Sequence, residues 1–535
     1  MKKIWGTLDP FFEPGPILGR KVANGNFLKF LLLHDYFDEY HFFLPSPNIK
    51  DYVQNFLEEN FPLSIVKKVK LFLKTQLHHQ IKTNSYFCFH LSDCINYPQY
   101  LSSFRNFWQK DFPITSITHS LNYNNFIYSY LSHLTSSWSP QDVIISTSYS
   151  GKKVLKNFYR HLQQHLGIKP ELSPPKIKVI PLGVEEKFFT YKENKLNIRQ
   201  KLGLPLTSTL LLYLGRLSHS SKMDIIPLLR ALKQAQDKLK EKIPLVLAGQ
   251  VNFEEKVLET YQKIANFLNL DIYIFTNISE EEKINLLNAA DIFLSLVDNY
   301  QETFGLSILE AKASSLCVLA SDFDGYKELI KNEEDGFLIS TYAPENNLFL
   351  QSYSHLLSDN QNDLLLSQNV GFDYKNFMDT LLLVIKNKEL RRTIGNKAQK
   401  NAQKYLWSKI ILKYIKLWEE LNEQKVINKE VHPLSFSTFK LFDHYPTTTL
   451  KSEQILRLSS FGHKVLAQED TPSLYLFLED FISLEQVNFL LQNLSKPKSL
   501  HHLIQILKSQ FALHQEEGSF LIFWCLKQGL IEKIY

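Results

Sequence analysis

The residues best equipped for chemistry lie between Asp298 and Leu329, where Glu302 and Glu310 enclose seven residues that include Phe304, Gly305 and Leu306. A helix-forming run starts near Ser307, so the segment reads as strand, glycine-containing loop and helix start. The free N–H groups and positive dipole end of such a helix favour phosphate. Glu310, about one turn inside the helix, could reach hydroxyls beside that phosphate. It reads equally as a carboxylate that complements the dipole in a first turn. Further on, Asp322-Phe323-Asp324 has the form of a carboxylate pair that holds a hard cation, although Asp324-Gly325 is also an ordinary turn signal.

The elements that must position these groups are visible as short apolar runs between longer stretches of helical period, the pattern of parallel sheets covered by helices. From Asp142 onward the runs begin near residues 142, 178, 209, 244, 271, 291 and 316. Before residue 142 the pattern is blurred, with strands expected at Tyr40–Leu44, Tyr86–His90 and Ile114–His119. The reading is an α/β chain of two Rossmann-like domains facing a cleft, at residues 1–185 and 186–428. The helical stretches from Leu390 and from Trp407 are expected to close the second domain, and residues 429–535 to form a mainly helical, winged-helix-like module.

Composition narrows the class. The 535 residues are 44% hydrophobic, 13% aromatic and 21% charged, a globular composition. Sixty Lys+Arg against 55 Asp+Glu leave a formal charge of +5, which does not imply a nucleic-acid partner. Four scattered cysteines suggest reduced, mostly buried thiols and no zinc ribbon. No apolar run approaches the roughly 20 residues that cross a bilayer. A cytoplasmic protein is expected, peripheral to a membrane at most. The stretch 63–82, rich in lysine and free of acid, reads either as a contact for anionic lipid or as a solvated helix face over a core stripe.

The segment around Glu302 and Glu310 resembles the Glu-x7-Glu signature of the family-4 retaining glycosyltransferases of GT-B fold, in a bacterial form. Gly215-Arg216 after a strand, Lys222, Leu247-Ala248-Gly249 and Gly336 follow in the order of that family. The likeness covers about residues 177–420. It implies transfer of a sugar from a nucleotide-diphosphate sugar, UDP-linked as a first guess, to a hydroxyl of a glycolipid, polysaccharide or protein, with no metal or other cofactor; the alternatives are a sugar-nucleotide epimerase of the same fold and a non-catalytic nucleotide-sugar-binding scaffold. Glu310 would bind the ribose hydroxyls. Glu302, Thr303, Phe304, Gly305 and Leu306 would hold the transferred sugar, and backbone near Ile278 would meet the base. Arg216 and Lys222 suit stabilisation of the leaving diphosphate: charge grows on its oxygens as the bond breaks, and a forked cation with a point cation can do the work of a divalent ion. The Asp322 pair falls inside this metal-independent region, so no metal ligand is assigned there.

In the first domain, Gly15 and Gly19 resemble a loop that approaches the diphosphate. His119, at the end of a strand, resembles a family histidine near the reaction centre. His90 ends a similar run and is the weaker candidate. Ser315 and Cys317 stand where the family usually has Gly and Pro. The terminal module reads as an element for recognition of a protein acceptor or for self-association.

Overall fold

In the computed structural model the described residues are 2–12, 19–168, 172–190, 193–251, 255–424, 428, 430, 432 and 435–534. The chain divides into two compact units, Met1–Leu71 with Asn84–Leu434, and Phe72–Thr83 with Ser435–Tyr535.

The first unit carries two sheets. In the first, β1 (Ile4–Thr7), β2 (Glu39–Leu44), β3 (Val69–Leu73), β4 (Cys88–Leu91), β5 (Ile114–Ile117), β6 (Val143–Ser146) and β7 (Lys176–Val179) lie in the order β3-β2-β1-β4-β5-β6-β7. In the second, β8 (Leu211–Leu214), β9 (Leu245–Gly249), β10 (Ile272–Thr276), β11 (Ile292–Ser295), β12 (Cys317–Ser321) and β13 (Phe337–Ile339) lie in the order β10-β9-β8-β11-β12-β13. All pairings of the second sheet, and those joining β2 to β7 in the first, are parallel. Strands such as β6, β8 and β11 are almost wholly apolar, with a serine closing β6 and β11, because helices cover both faces and every position is buried. Both sheets reverse direction beside their first strand, and in open α/β sheets ligands collect at that switch point, beyond the carboxyl ends. The architecture is GT-B.

The helix Trp407–Asn422 does not close the second domain as its position in the chain suggests. It packs on the first: Trp418 Nε1 donates to Thr115 Oγ1 at 2.9 Å, and the Tyr414 and Phe27 rings lie 4.9 Å apart. Its residues at helical spacing, Ile410, Ile411, Tyr414, Ile415 and Trp418, are all buried, so the amphipathic pattern was real and only its partner differed. The chain therefore crosses between the domains twice, and the crossings touch. The N–H of Val184 donates to the Tyr405 carbonyl at 2.9 Å, and that of Trp407 to the Val184 carbonyl at 3.2 Å. A Cβ on Gly183 would stand 2.4 Å from the Trp407 ring, so only glycine fits there.

The second unit is mainly helical, with Leu484–Asn493, Leu500–Phe511 and Gln515–Lys527 packed through Val487, Leu490, Leu503, Leu507, Leu521 and Ile522. A small antiparallel sheet joins Ile455–Leu458 to Lys498–Ser499 on one side and Ile531–Lys533 on the other. Phe72–Thr83 belongs here. His78 stacks on Phe481 at 4.9 Å, Gln76 donates to Asp480 at 3.1 Å, and Lys82 pairs with Glu517. Within the stretch 63–82, Ile65, Leu77 and Ile81 are buried in protein, while Leu63 is exposed. No helix among the described residues is long and apolar enough to cross a membrane. The four cysteines are unpaired and buried.

Candidate functional site

The loops after β8 and β11 meet at the switch point of the second sheet. The Gly215 N–H donates to the Ala248 carbonyl at 3.0 Å. Gly249 next to it has φ +147°, and a Cβ there would lie 1.8 Å from the Gly215 carbonyl oxygen. Gly249 is needed for the backbones to come this close, whereas a Cβ on Gly215 would meet the Tyr213 hydroxyl at 3.0 Å and the Lys222 side chain at 3.3 Å. At the β11 side, Gly305 (φ +100°) caps the helix Leu306–Ala313, and its missing side chain leaves room for the Tyr326 ring.

Glu302 does two things at that helix start. Its Oε1 accepts from the N–H of Phe304 at 3.2 Å and of Gly305 at 2.9 Å, while Oε2 pairs with Lys222. Burial works to raise the Glu302 carboxyl, yet the Lys222 charge and the two N–H groups outweigh it and hold the group below its usual range. Burial likewise opposes charge on Lys222, and the attraction of Glu302 raises it above its ordinary value. Both stay ionised. Arg216 is half-buried beside them and donates from Nη2 to Gln301 Oε1 at 2.6 Å. Gln301 in turn donates from Nε2 to the Tyr123 hydroxyl of the first domain. One further turn into the helix, the buried Glu310 accepts from Lys283 at 2.7 Å, and Lys283 lies 5.0 Å from the centre of the Phe188 ring.

A cavity of about 960 Å³ opens between the two domains. Gly215, Arg216, Lys222, Ile278, Glu302, Thr303, Phe304, Gly305, Leu306 and Glu310 line it from the second domain, and Gly19 and His119 from the first. Gly15 lies outside the described residues. Gly19 begins the helix Gly19–His34, where a Cβ would meet nothing within 4 Å. Its place at the cavity is therefore not a matter of glycine's size.

His119 Nε2 lies 2.8 Å from the Ser92 carbonyl and 3.1 Å from Asn24 Oδ1. The carbonyl can only accept, so Nε2 carries the proton and Nδ1 the lone pair. Burial lowers the imidazole to about 4, with Arg20 adding to the effect and the Ser92 carbonyl opposing it. His119 is neutral at pH 7. His90 is structural: it is fully buried against Phe27, Tyr414 and Trp418, with Nδ1 2.9 Å from Thr115 Oγ1. Asp322 and Asp324 sit in the turn that leads to Tyr326. Asp324 adopts φ 45°, and burial with the nearby Glu302 charge pushes its carboxyl up to about 8. Among the described residues no three His, Cys, Asp or Glu side chains gather as a metal site.

Three contributors had no place in the sequence reading: Lys283 on Glu310, Gln301 on Arg216, and Tyr123 on Gln301. Gln301 directly precedes the Glu302–Glu310 motif and could have been suspected as a neighbour. Lys283 and Tyr123 come from distant elements, and no local spacing announces them.

The fold and this cleft define a GT-B protein. Residues 194–348 match the family described as glycosyl transferases group 1. Among curated relatives, the D-inositol 3-phosphate glycosyltransferase of Streptomyces scabiei is 28% identical over 195 residues, 35% of this chain and 42% of its own. That of Corynebacterium aurimucosum is 24% identical over 194 residues, 35% of this chain and 45% of its own. The chain thus spans about half the length of the curated relatives it matches. Among solved structures, Anabaena HepE in complex with UDP and glucose superposes with a TM-score of 0.52 at 17% identity, over 78% of this chain and all of that one.

Proposed function

We propose that the protein is a retaining glycosyltransferase that moves a sugar from a nucleotide-diphosphate sugar, UDP-linked by preference, to an acceptor hydroxyl without need of a divalent metal. The observation that carries the reading is the joint placement of Arg216, the Lys222–Glu302 pair and Glu310 around one cavity at the switch point of the second sheet. UDP in the HepE structure supports the choice of nucleotide.

In this reading Glu310 accepts hydrogen bonds from the ribose hydroxyls, and Lys283 holds its carboxylate in place. The diphosphate lies against Gly215, Arg216 and Lys222. As the glycosidic bond breaks, negative charge gathers on the β-phosphate, and two fixed cations in a water-poor cleft stabilise it without reorganising. Glu302, turned by Lys222 and by the Phe304 and Gly305 N–H groups, fixes hydroxyls of the transferred sugar. Neutral His119 offers Nδ1 as an acceptor to the same sugar. The acceptor hydroxyl approaches the face the diphosphate leaves, and the departing phosphate takes its proton, which gives retention. Glu302 and Glu310 serve different ends of the donor, so they do not form the acid and base of a glycosidase.

Titration calorimetry with UDP, GDP and ADP tests the donor. Specific binding that Glu310→Ala weakens by about ten- to a hundredfold while the melting temperature holds is the expected result. Binding unchanged in that variant removes the assignment. NMR of the product anomer tests retention, and activity lost in chelator and restored by manganese would overturn metal independence.

A further inference from the structure

The same cavity runs on into the first domain, and its wall changes character there. Val22, Asn26, Lys29 and Leu33 recur at helical spacing along one face of the helix Gly19–His34 and line the cavity. Opposite them stand Phe12, Phe56 and Phe61, with the Phe12 and Phe56 rings 4.0 Å apart and Phe12 and Phe61 at 6.2 Å. Leu33 is 49% exposed at the outer end. The one cation of this stripe, Lys29, is spent on Glu185 at 2.7 Å. The trough thus offers hydrocarbon and aromatic surface bordered by the polar groups of Arg20, Lys21 and Asn60, and it opens beside Gly19 and His119 where the donor reading puts the transferred sugar.

From this continuity, and resting on that reading, we propose that the acceptor is an amphiphile: a hydroxyl-bearing head group carried on a hydrocarbon chain, with the chain lying between the helix Gly19–His34 and the Phe12, Phe56 and Phe61 rings. Transfer requires the acceptor hydroxyl next to the donor, so what fills the adjoining trough is the rest of the acceptor. A free sugar or a polysaccharide has little apolar surface to match this wall, and its hydroxyls would find few partners there. An alkyl chain loses water with no such cost.

Alkyl glucosides below their critical micelle concentrations, from methyl to octyl, provide the probe, titrated into the full-length protein with UDP present. Affinity is expected to rise about two- to fourfold per added methylene while the chain still enters the trough. Leu33→Asp, at an exposed position, should flatten that dependence and leave the UDP affinity unchanged. Phe56→Ser should shorten the chain length over which affinity grows. Affinity independent of chain length in the unmodified protein, or a dependence that Leu33→Asp leaves intact, overturns the proposal. UDP titrated alone reads the donor assignment separately: UDP binding without chain-length dependence removes the amphiphile and keeps the transferase. Chain-length dependence without UDP binding keeps the trough as an amphiphile site and removes the transferase.

Discussion

The two domains share one strand order yet equip the cleft in opposite ways. The second joins opposite charges in pairs, Lys222 with Glu302 and Lys283 with Glu310, and in the first of these pairs each group holds its partner ionised against burial. The first brings a neutral imidazole, His119 low at about 4, and the side chains of Phe12, Phe56, Phe61 and Leu33, set among Arg20, Lys21 and Lys29. Charge can remain in a dry cleft only with a partner, whereas an uncharged imidazole needs none. A polyanionic donor and an uncharged, partly apolar acceptor are the ligands such a division suits.

The contrast can be broken most directly at Lys222. Lys222→Ala strands the Glu302 carboxylate, and removal of one partner of a buried pair costs about 3–5 kcal/mol. A fall in melting temperature and a loss of transfer of about 10²- to 10³-fold are expected. The double variant Lys222→Met/Glu302→Gln should regain much of the stability and none of the rate. A single variant that melts and turns over normally would show that the pair is idle.

Acid should distinguish the domains next. Burial lowers His90 to about 3 and His133 to about 4, and both lie in the first domain. Unfolded histidine takes its proton near pH 6.5. The unfolded chain therefore gains protons first as pH falls, so their contribution to stability is full above about pH 6.5 and is lost towards pH 4. At pH 5 the loss is on the order of 2 kcal/mol for each. Hydrogen exchange between pH 7 and 5 should show the first domain loosening before the second. Equal loosening would deny the contrast.

Glu310→Ala sharpens the comparison from the donor side, with UDP affinity weaker by about ten- to a hundredfold, the worth of hydrogen bonds to a charged group. The smallest effect is expected for Tyr123→Phe. It cuts the thread from the first domain through Gln301 to Arg216, worth about 0.5–1.5 kcal/mol, and should slow transfer with little change in UDP affinity. An equal change in both would make Tyr123 a plain binding residue.

The same asymmetry governs what could be read without coordinates. β8, β9, β11 and β12 are buried on both faces, so their apolar runs stand out between glycine and aspartate boundaries. β3 is only half-buried and carries lysine, and it passed as part of a basic stretch. β1 is four residues long behind Lys2 and Lys3, too short to display a period. The loops after β8 and β11 place their functional groups within a few residues of one another, so spacing exposes them. The Lys283–Glu310 and Tyr123–Gln301 contacts join elements far apart in the chain, and spacing holds no trace of them. The helix Trp407–Asn422 showed its apolar stripe clearly, but a stripe does not name the surface it will cover.

The paired crossings at Gly183–Val184 and Tyr405–Trp407 set how the cleft can breathe. Two strands of linker tied side by side bend like a book spine, easily about one axis and poorly about the others. Sliding of one half past the other would have to break the Val184 hydrogen bonds and drive the backbone at residue 183 into an indole. Opening and shutting thus keep the cations and the acceptor trough in register at every excursion, and a bulkier residue at 183 would bind that spine with the pages ajar.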